Sequence, residues 1–408
     1  MRILLLTLYF EPDITANAAI LTRLAEELAA LGHAVSVVTA FPHYAGNRID
    51  PRYRGTLIER ARHGDIRVTR TYVYVASDKG SLRARLLNYA SFNLLSVVAG
   101  LLSPAPDVVL APSPPLTIGL TAWLLGSLKR VPFVYNVQDI YPDIAIRLGI
   151  LTNPRAIRAF RRLEDFVYRR AAAVSVLSEG FRQNLLGKGV PPAKLRIIPN
   201  FVDPDLVRPQ PKENPFARRE GLADRFVALY AGNIGLSQGL ETLLGACAHL
   251  RDLPDFLAVI VGNGAARPAL EARAQEMGLS NVRFLPFQPK EDLAMMYASA
   301  DVSLVLLKRG IGAESVPSKA YAILASGRPI LAAVDAGADT DRLIQDARCG
   351  VAVPPEDPAA LARAIRALRA DPAARAQMGR RGREHVVAHY SPGAIARQYE
   401  ALLRDVVR

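Results

Sequence analysis

The chain has 408 residues, half of them apolar, and its 51 Lys and Arg outnumber 38 Asp and Glu for a formal charge of +13. That length exceeds one ordinary core and suits two α/β domains, while the apolar share excludes a disordered scaffold. Two cysteines, Cys247 and Cys349, are too few for a disulfide framework and lack the paired spacing of a zinc site, which fits a reducing compartment.

The run 3–10 is apolar but short, has only Arg2 before it and leads straight into Glu11 and Asp13, so it reads as a first buried parallel strand rather than a signal peptide. A helix with Ile20, Leu24, Leu28 and Leu31 on one face follows; Gly32 closes it, and residues 35–39 start the next strand. The longest uncharged stretch, residues 86–102, falls short of a membrane span and contains Asn88 and Asn93. A helix within the fold is expected there, with no integral anchor. Residues 108–111, 133–137 and 174–177 are further short strands between helical stretches, so one doubly wound domain accounts for residues 1 to about 200. A proline-rich passage through Pro199, Pro204, Pro209, Pro211 and Pro215 marks a linker. Beyond it, residues 226–230, 257–261, 282–284, 302–306 and 329–332 predict a second parallel sheet, and a helix over 394–407, entered at Ser391-Pro392, ends the chain.

Charge is uneven along the chain. Residues 1–205 hold 25 Lys and Arg against 16 Asp and Glu, a net +9 that leaves +4 for the rest. Ten basic residues face four acidic ones between Arg48 and Arg85, and six face two between Arg155 and Arg170. Such a surface attracts nucleic acid, anionic lipid or phosphorylated substrate alike, or is simply solvated. No helix-turn-helix, zinc finger or aromatic stacking surface supports nucleic acid, and none is expected as a partner.

Parallel sheets bind ligands beyond the carboxyl ends of their strands. Two such loops carry glycines, Ala231-Gly232-Asn233-Ile234-Gly235 and Gly262-Asn263-Gly264, which let a backbone approach a phosphate and leave N–H donors free, or form tight turns whatever the function. Neither half has the G-x-G-x-x-G fingerprint of dinucleotide binding, and a Walker phosphate loop is absent. The segment Glu314-Ser315-Val316-Pro317-Ser318-Lys319 places two charges in an apolar context, where a charge is costly unless exposed or paired; a helix-capping salt bridge is the plainer reading. Gln138, Asp139 and Asp143 follow the 133–137 strand as polar groups or as a turn with an Asp cap. The triplet Asp339-Thr340-Asp341 resembles a metal-binding D-x-D of another fold but most simply caps the following helix.

In order along the chain, Gly32-His33-Ala34-Val35, Ile198-Pro199-Asn200-Phe201-Val202-Asp203, Tyr230-Ala231-Gly232-Asn233 with Gln238-Gly239-Leu240, Val261-Gly262-Asn263-Gly264, and Glu314 through Pro329 resemble family 4 glycosyltransferases over nearly the whole length. Phe41-Pro42-His43-Tyr44, Lys79-Gly80 with Leu87-Asn88-Tyr89, and Glu314 through Lys319 are similar to the colanic-acid and O-antigen branch. The resemblance implies an α/β GT-B fold of two doubly wound Rossmann-like domains facing a cleft. Residues 1–203 with 394–408 would be the acceptor domain and 204–393 the nucleotide-sugar domain. It implies retaining transfer from a nucleoside diphosphate sugar, without a metal or other cofactor.

Carried across residue by residue, Glu314 matches the first glutamate of the family's E-x(7)-E motif near the donor sugar, but Ala322 stands where the second belongs. Asn233 and Gln238 replace the family's diphosphate-binding Arg and Lys. Lys319, inside the same segment as Ser318, is expected to supply the missing cation, with Gly232 and Gly262 amides as further donors to the departing nucleotide. Gln138 stands where a His is common. Asp139 is expected to position or deprotonate the acceptor hydroxyl, or else to cap a turn. Asn17 is expected near the donor phosphates and Phe287 near the base; His43 and Arg85 are expected on the acceptor side.

The expected donor is a UDP-sugar, an N-acetylated amino or deoxy sugar foremost. The expected acceptor is a polyprenyl-diphosphate-linked saccharide of an envelope polymer, met by a cytoplasmic protein peripheral to the anionic inner face of the plasma membrane. A UDP-sugar epimerase of the same architecture is the rival reading, and it leaves the basic half unexplained.

Overall fold

The computed structural model describes residues 1–13, 15–43, 48–75, 82–147, 149–311 and 319–408, except the side chains of 82–86. The chain divides into two compact units, Met1–Asn200 with Pro392–Arg408, and Phe201–Ser391. Each is built on one sheet.

The first sheet has eight strands: β1 (Arg2–Leu6), β2 (Ala34–Ala40), β3 (Ile58–His63), β4 (Ile66–Thr71), β5 (Val108–Pro112), β6 (Phe133–Val137), β7 (Ala173–Val176) and β8 (Leu195–Ile197), in the order β3-β4-β2-β1-β5-β6-β7-β8. The strands β1, β5, β6 and β7 lie inside the sheet and are apolar throughout or nearly so, because helices cover both faces. The helices are α1 (Ala16–Ala30), α2 (Leu82–Leu102), α3 (Ile118–Lys129), α4 (Asp143–Arg147), α5 (Pro154–Arg170) and α6 (Glu179–Gly187). β3 and β4 form an antiparallel hairpin through a tight turn at Gly64, whose φ of 56° suits glycine. That hairpin was not expected from the sequence. Its strand Ile58–His63 carries Glu59, Arg60 and Arg62, as an edge strand protected from further pairing does, and so lacks the apolar run of a buried strand.

The final helix, Pro392–Val407, belongs to the first unit. It packs on α1, and Glu400 meets the buried His33 ring at 3.1 Å. A carboxylate there is close to the turn that Gly32 makes, so the first helix-to-strand turn and the last helix lock each other.

The second sheet has six parallel strands: β9 (Phe226–Ala231), β10 (Phe256–Val261), β11 (Val282–Leu285), β12 (Val302–Leu306), β13 (Ile330–Ala333) and β14 (Gly350–Val353), ordered β11-β10-β9-β12-β13-β14. Two apolar clusters, one on each face, bury both sides of it. From β9 the chain runs outward through β10 and β11, then crosses back to β12 on the other side. The loops after β9 and β12 therefore diverge at the switch point, where a parallel sheet opens a crevice at its carboxyl edge.

Candidate active site

In the second unit Gly232 leaves β9 and Gly262 leaves β10 with φ of 145° and 141°. An ideal Cβ on Gly262 would stand 1.9 Å from the Gly232 carbonyl oxygen, so the two loops touch backbone to backbone and only glycine fits. The expectation that their own amides face a phosphate is corrected here. The Gly232 N–H donates to Val261 O at 2.9 Å and the Gly262 N–H to Leu285 O at 3.1 Å, which extends the parallel ladder by one rung. The turn that follows presents the next amides instead: the N–H groups of Asn233 and Asn263 have no acceptor among the described residues. A glycine in this setting turns the chain so that its successor can donate.

Lys319 begins the helix Lys319–Ala325 that follows β12. Its side chain turns inward, and Nζ donates to Gln238 Oε1 at 2.6 Å and to Tyr230 Oη at 2.9 Å. Nζ also lies 4.1 Å from the centroid of the Tyr230 ring, where the aromatic face attracts a cation. Loss of hydration lowers the pKa of this ammonium to about 7. An ammonium has three donors, and two are spent on neutral oxygens. The third has room beside Gly232, for a Cβ there would sit 3.5 Å from Nζ. Thus a cation from a distant segment reaches the loop in which Asn233 and Gln238 stand. No acid among the described residues neutralises it.

Tyr230 escaped the sequence reading because an aromatic in an apolar strand reads as core. Its hydroxyl is the missed signal: a buried phenol needs a hydrogen-bond partner, and here it reaches Asn233 O at 2.7 Å and Gln238 Oε1 at 2.9 Å. Arg267 was missed as well. Its guanidinium donates to the carbonyls of Gly262 and Leu285 at 2.6 and 3.0 Å, holding the carboxyl ends of β10 and β11 together. The Asn233 side chain fills the space over Gly235 and Gly264. Phe287, two residues beyond β11, is 62% exposed. Glu314 and Ser318 lie outside the described residues.

Residues 17–200 match the family described as a glycosyl transferase 4-like domain, and residues 213–385 the family described as glycosyl transferases group 1. The chain belongs to the family 4 glycosyltransferases. It is 29% identical over 375 residues, 90% of its length and 91% of the relative's, to the putative colanic acid biosynthesis glycosyl transferase WcaI of Escherichia coli. It is 32% identical over 261 residues, 64% of its length and 65% of the relative's, to the probable glycosyltransferase WbjE of Pseudomonas aeruginosa. In fold it is similar to sucrose-phosphate synthase of Thermosynechococcus elongatus, with a TM-score of 0.74, 23% identity and coverage of 99% and 98%. Anabaena HepE in complex with UDP gives a TM-score of 0.74 at 18% identity, with coverage of 99% and 100%. Membership in this family sets aside the epimerase reading.

In the first unit of this glycosyltransferase, Asn17 lies in the first turn of α1, at the carboxyl side of β1, where Thr15 caps the Ala18 amide at 2.9 Å. The switch point of this sheet falls between β1 and β5, so Asn17 stands beside it. Gln138 is buried rather than open to a ligand. It donates to Asn136 Oδ1 at 2.7 Å and accepts from Asn200 Nδ2 at 2.8 Å, while Asn136 reaches Ser175. Its amide ties β6 to the last residue of the unit's main segment and spends half its hydrogen-bonding capacity there.

Asp139 is exposed, and its carboxylate has no hydrogen-bond partner among the described residues. Protein crowded on one side still raises its pKa by desolvation. The capping alternative has no support, since no backbone amide among the described residues donates to it. Its loop is anchored at Asp143, which meets Lys188 at 2.8 Å, and Lys188 meets the buried Glu164 at 2.6 Å.

His43 is buried, not solvated: Nδ1 lies 2.8 Å from Phe41 O, the backbone N–H donates to Asp13, and the ring stacks on Tyr9 at 5.3 Å. The Arg85 side chain lies outside the described residues. Asp341 of the D-x-D triplet is buried and accepts from the Gly337 N–H at 2.7 Å and from Gln345 at 3.0 Å. It therefore secures the helix entry from the third helical position, while Ala338 occupies the cap itself.

Proposed function

We propose that this glycosyltransferase moves a sugar, with retention and without a catalytic metal, from a UDP-sugar to a polyprenyl-diphosphate-linked saccharide in envelope polysaccharide synthesis. The observation that carries the reading is the Lys319 ammonium, desolvated, uncompensated by an acid among the described residues and held on Gln238 and Tyr230 at the switch point of the second sheet. A half-neutralised cation of this kind is poor at stabilising its own unit and well suited to a ligand that brings negative charge. A diphosphate restores its full charge, and the attraction grows as the sugar leaves. The amides of Asn233 and Asn263 add two donors, and Phe287 is positioned for the base.

The second unit is thus the donor domain. For the polysaccharide role and the UDP-sugar the relatives give support: one is named for colanic acid biosynthesis, and HepE has been solved with UDP and with UDP-glucose. The first unit takes the acceptor, with Asp139 orienting its hydroxyl and a raised pKa suiting it to share that proton. Glu314 is assigned to the donor sugar from its place in the sequence. An N-acetylated amino or deoxy sugar is the first to try. The protein works from the cytoplasmic side, at the inner face of the membrane.

The test is a panel of nucleotide sugars screened by thermal stabilisation, then a transfer assay with the best donor and a lipid-linked acceptor, reading the product anomer by NMR. Stabilisation by a UDP-sugar and a retained anomer, unchanged by chelator, are expected. An inverted anomer, or turnover abolished by chelator, would contradict the mechanism.

A further inference from the structure

The helices α2 and α3 run side by side in the same direction. Asn93 donates to Thr117 at 2.6 Å near one end, and Lys129 Nζ donates to Leu101 O and Ser103 O at 3.2 and 3.0 Å at the other. Between them Gly100 lets Leu125 approach so closely that a Cβ would overlap its Cδ1. Their inner faces are buried through Phe92, Ser96 and Ala99 on α2 and Ile118, Ala122 and Leu125 on α3. The outer faces should then be polar.

They are not. On α2, Leu87, Leu94, Val98 and Leu101 recur at helical spacing and are all exposed, Leu94 at 71%. On α3, Leu120, Leu124 and Leu128 form a second exposed stripe along the same seam. Not one charged residue occurs from 86 to 106, or again along α3 before Lys129. Single exposed leucines are ordinary; two adjoining stripes of them form a patch that water penalises.

The patch has a basic border. α5 packs against the far side of α3 through Val167 on Gly119 and through the Trp123 and Phe166 rings, 5.0 Å apart and edge-on. All six arginines of α5 are exposed. No helix among the described residues is long and apolar enough to cross a membrane. Apolar stripes lying flat, uncharged across their breadth and edged with guanidinium groups, match a bilayer interface carrying anionic headgroups.

We infer that the outer face of α2 and α3 is a membrane-docking surface that seats in an anionic bilayer, with the arginines of α5 holding headgroup phosphates. This names the surface behind the lipid-linked acceptor proposed above and rests on that reading only for its purpose. Apolar side chains supply the headgroup-independent part of binding and guanidinium groups the lipid selectivity. A second copy of the chain could cover leucines too, but would have no use for the arginine border.

The test is flotation with vesicles of neutral phosphatidylcholine, alone or with anionic phosphatidylglycerol, run beside light scattering for oligomeric state and thermal unfolding with and without UDP. The wild type should float far better with anionic than with neutral vesicles, and more weakly in high salt. Leu94→Glu and Leu124→Glu, both at exposed positions, should each cut partitioning by about tenfold or more while unfolding and responding to UDP as the wild type does. Replacing Arg155, Arg158 and Arg162 by Gln should cost about fivefold for each arginine and leave weaker binding that depends less on salt. Undiminished flotation of the leucine variants, equal binding to neutral vesicles, or a dimer that these variants dissociate would overturn the inference. A wild type that floats as expected but gains no stability from any nucleotide sugar would refute the donor reading and leave the docking surface standing.

Discussion

In the second unit a single ammonium, Lys319, is drawn out of water and held on two neutral oxygens, whereas in the first unit the six arginines of α5 remain in solvent. Desolvation makes the first cation strong toward an incoming anion, hard to screen and sensitive to pH. Exposure to solvent makes the second set weak one by one, additive and sensitive to salt. A site that must stabilise charge during one chemical step and a face that must hold a broad anionic surface call for these two different uses of positive charge.

The sharpest way to break the contrast is to destroy the loop contact that creates the desolvated site. Gly262→Ala drives a methyl into the Gly232 carbonyl, on top of a backbone angle that a Cβ disfavours. It should cost about 3 kcal/mol or more, read as a lowered urea midpoint. Unchanged stability would mean that the two loops separate freely. Lys319→Met should keep the fold and lower kcat by about a hundredfold to a thousandfold; normal turnover would put the leaving-group cation elsewhere.

A titration sharpens the same point. With the ammonium pKa near 7 in the empty site, and raised once a diphosphate is bound, UDP affinity should weaken about tenfold per pH unit above 7 until the pKa of the complex is reached. Below 7 the ammonium is already charged and this dependence disappears, as it should at every pH in Lys319→Met. Tyr230→Phe removes one acceptor while keeping the ring, so about a tenfold loss of kcat is expected. Raising salt from low to moderate strength should change UDP affinity by less than about twofold while releasing the protein from anionic vesicles. Equal salt responses would erase the distinction between the two kinds of site.

Buried parallel strands were legible because burial on both faces leaves a continuous apolar run, as in Phe226–Ala231 and Phe256–Val261. Where that condition fails the reading fails. Ile58–His63 is interrupted by charges, Leu195–Ile197 is three residues long, and Gly350–Val353 opens on a glycine and is only half-buried. In the site, Lys319 could be picked out because a lysine in apolar surroundings needs a reason. Gln238 stood out only for the cation it replaces and Tyr230 not at all, since they precede Lys319 by 81 and 89 residues and nothing local announces that the three side chains converge. The glycines were legible as close-approach positions, but which amide they free depends on one ladder bond that only the fold reveals. Gln138 looked like a ligand group because its partner, Asn200, lies 62 residues away.

The central claim is that Lys319 meets the diphosphate and nothing else of the donor. Calorimetry of UDP and of uridine against wild type and Lys319→Met separates phosphate from base and ribose. UDP affinity should fall by about thirtyfold in the variant, in keeping with a charge-assisted hydrogen bond, while uridine binding stays within about twofold. An unchanged UDP affinity, or an equal loss for both ligands, would contradict it.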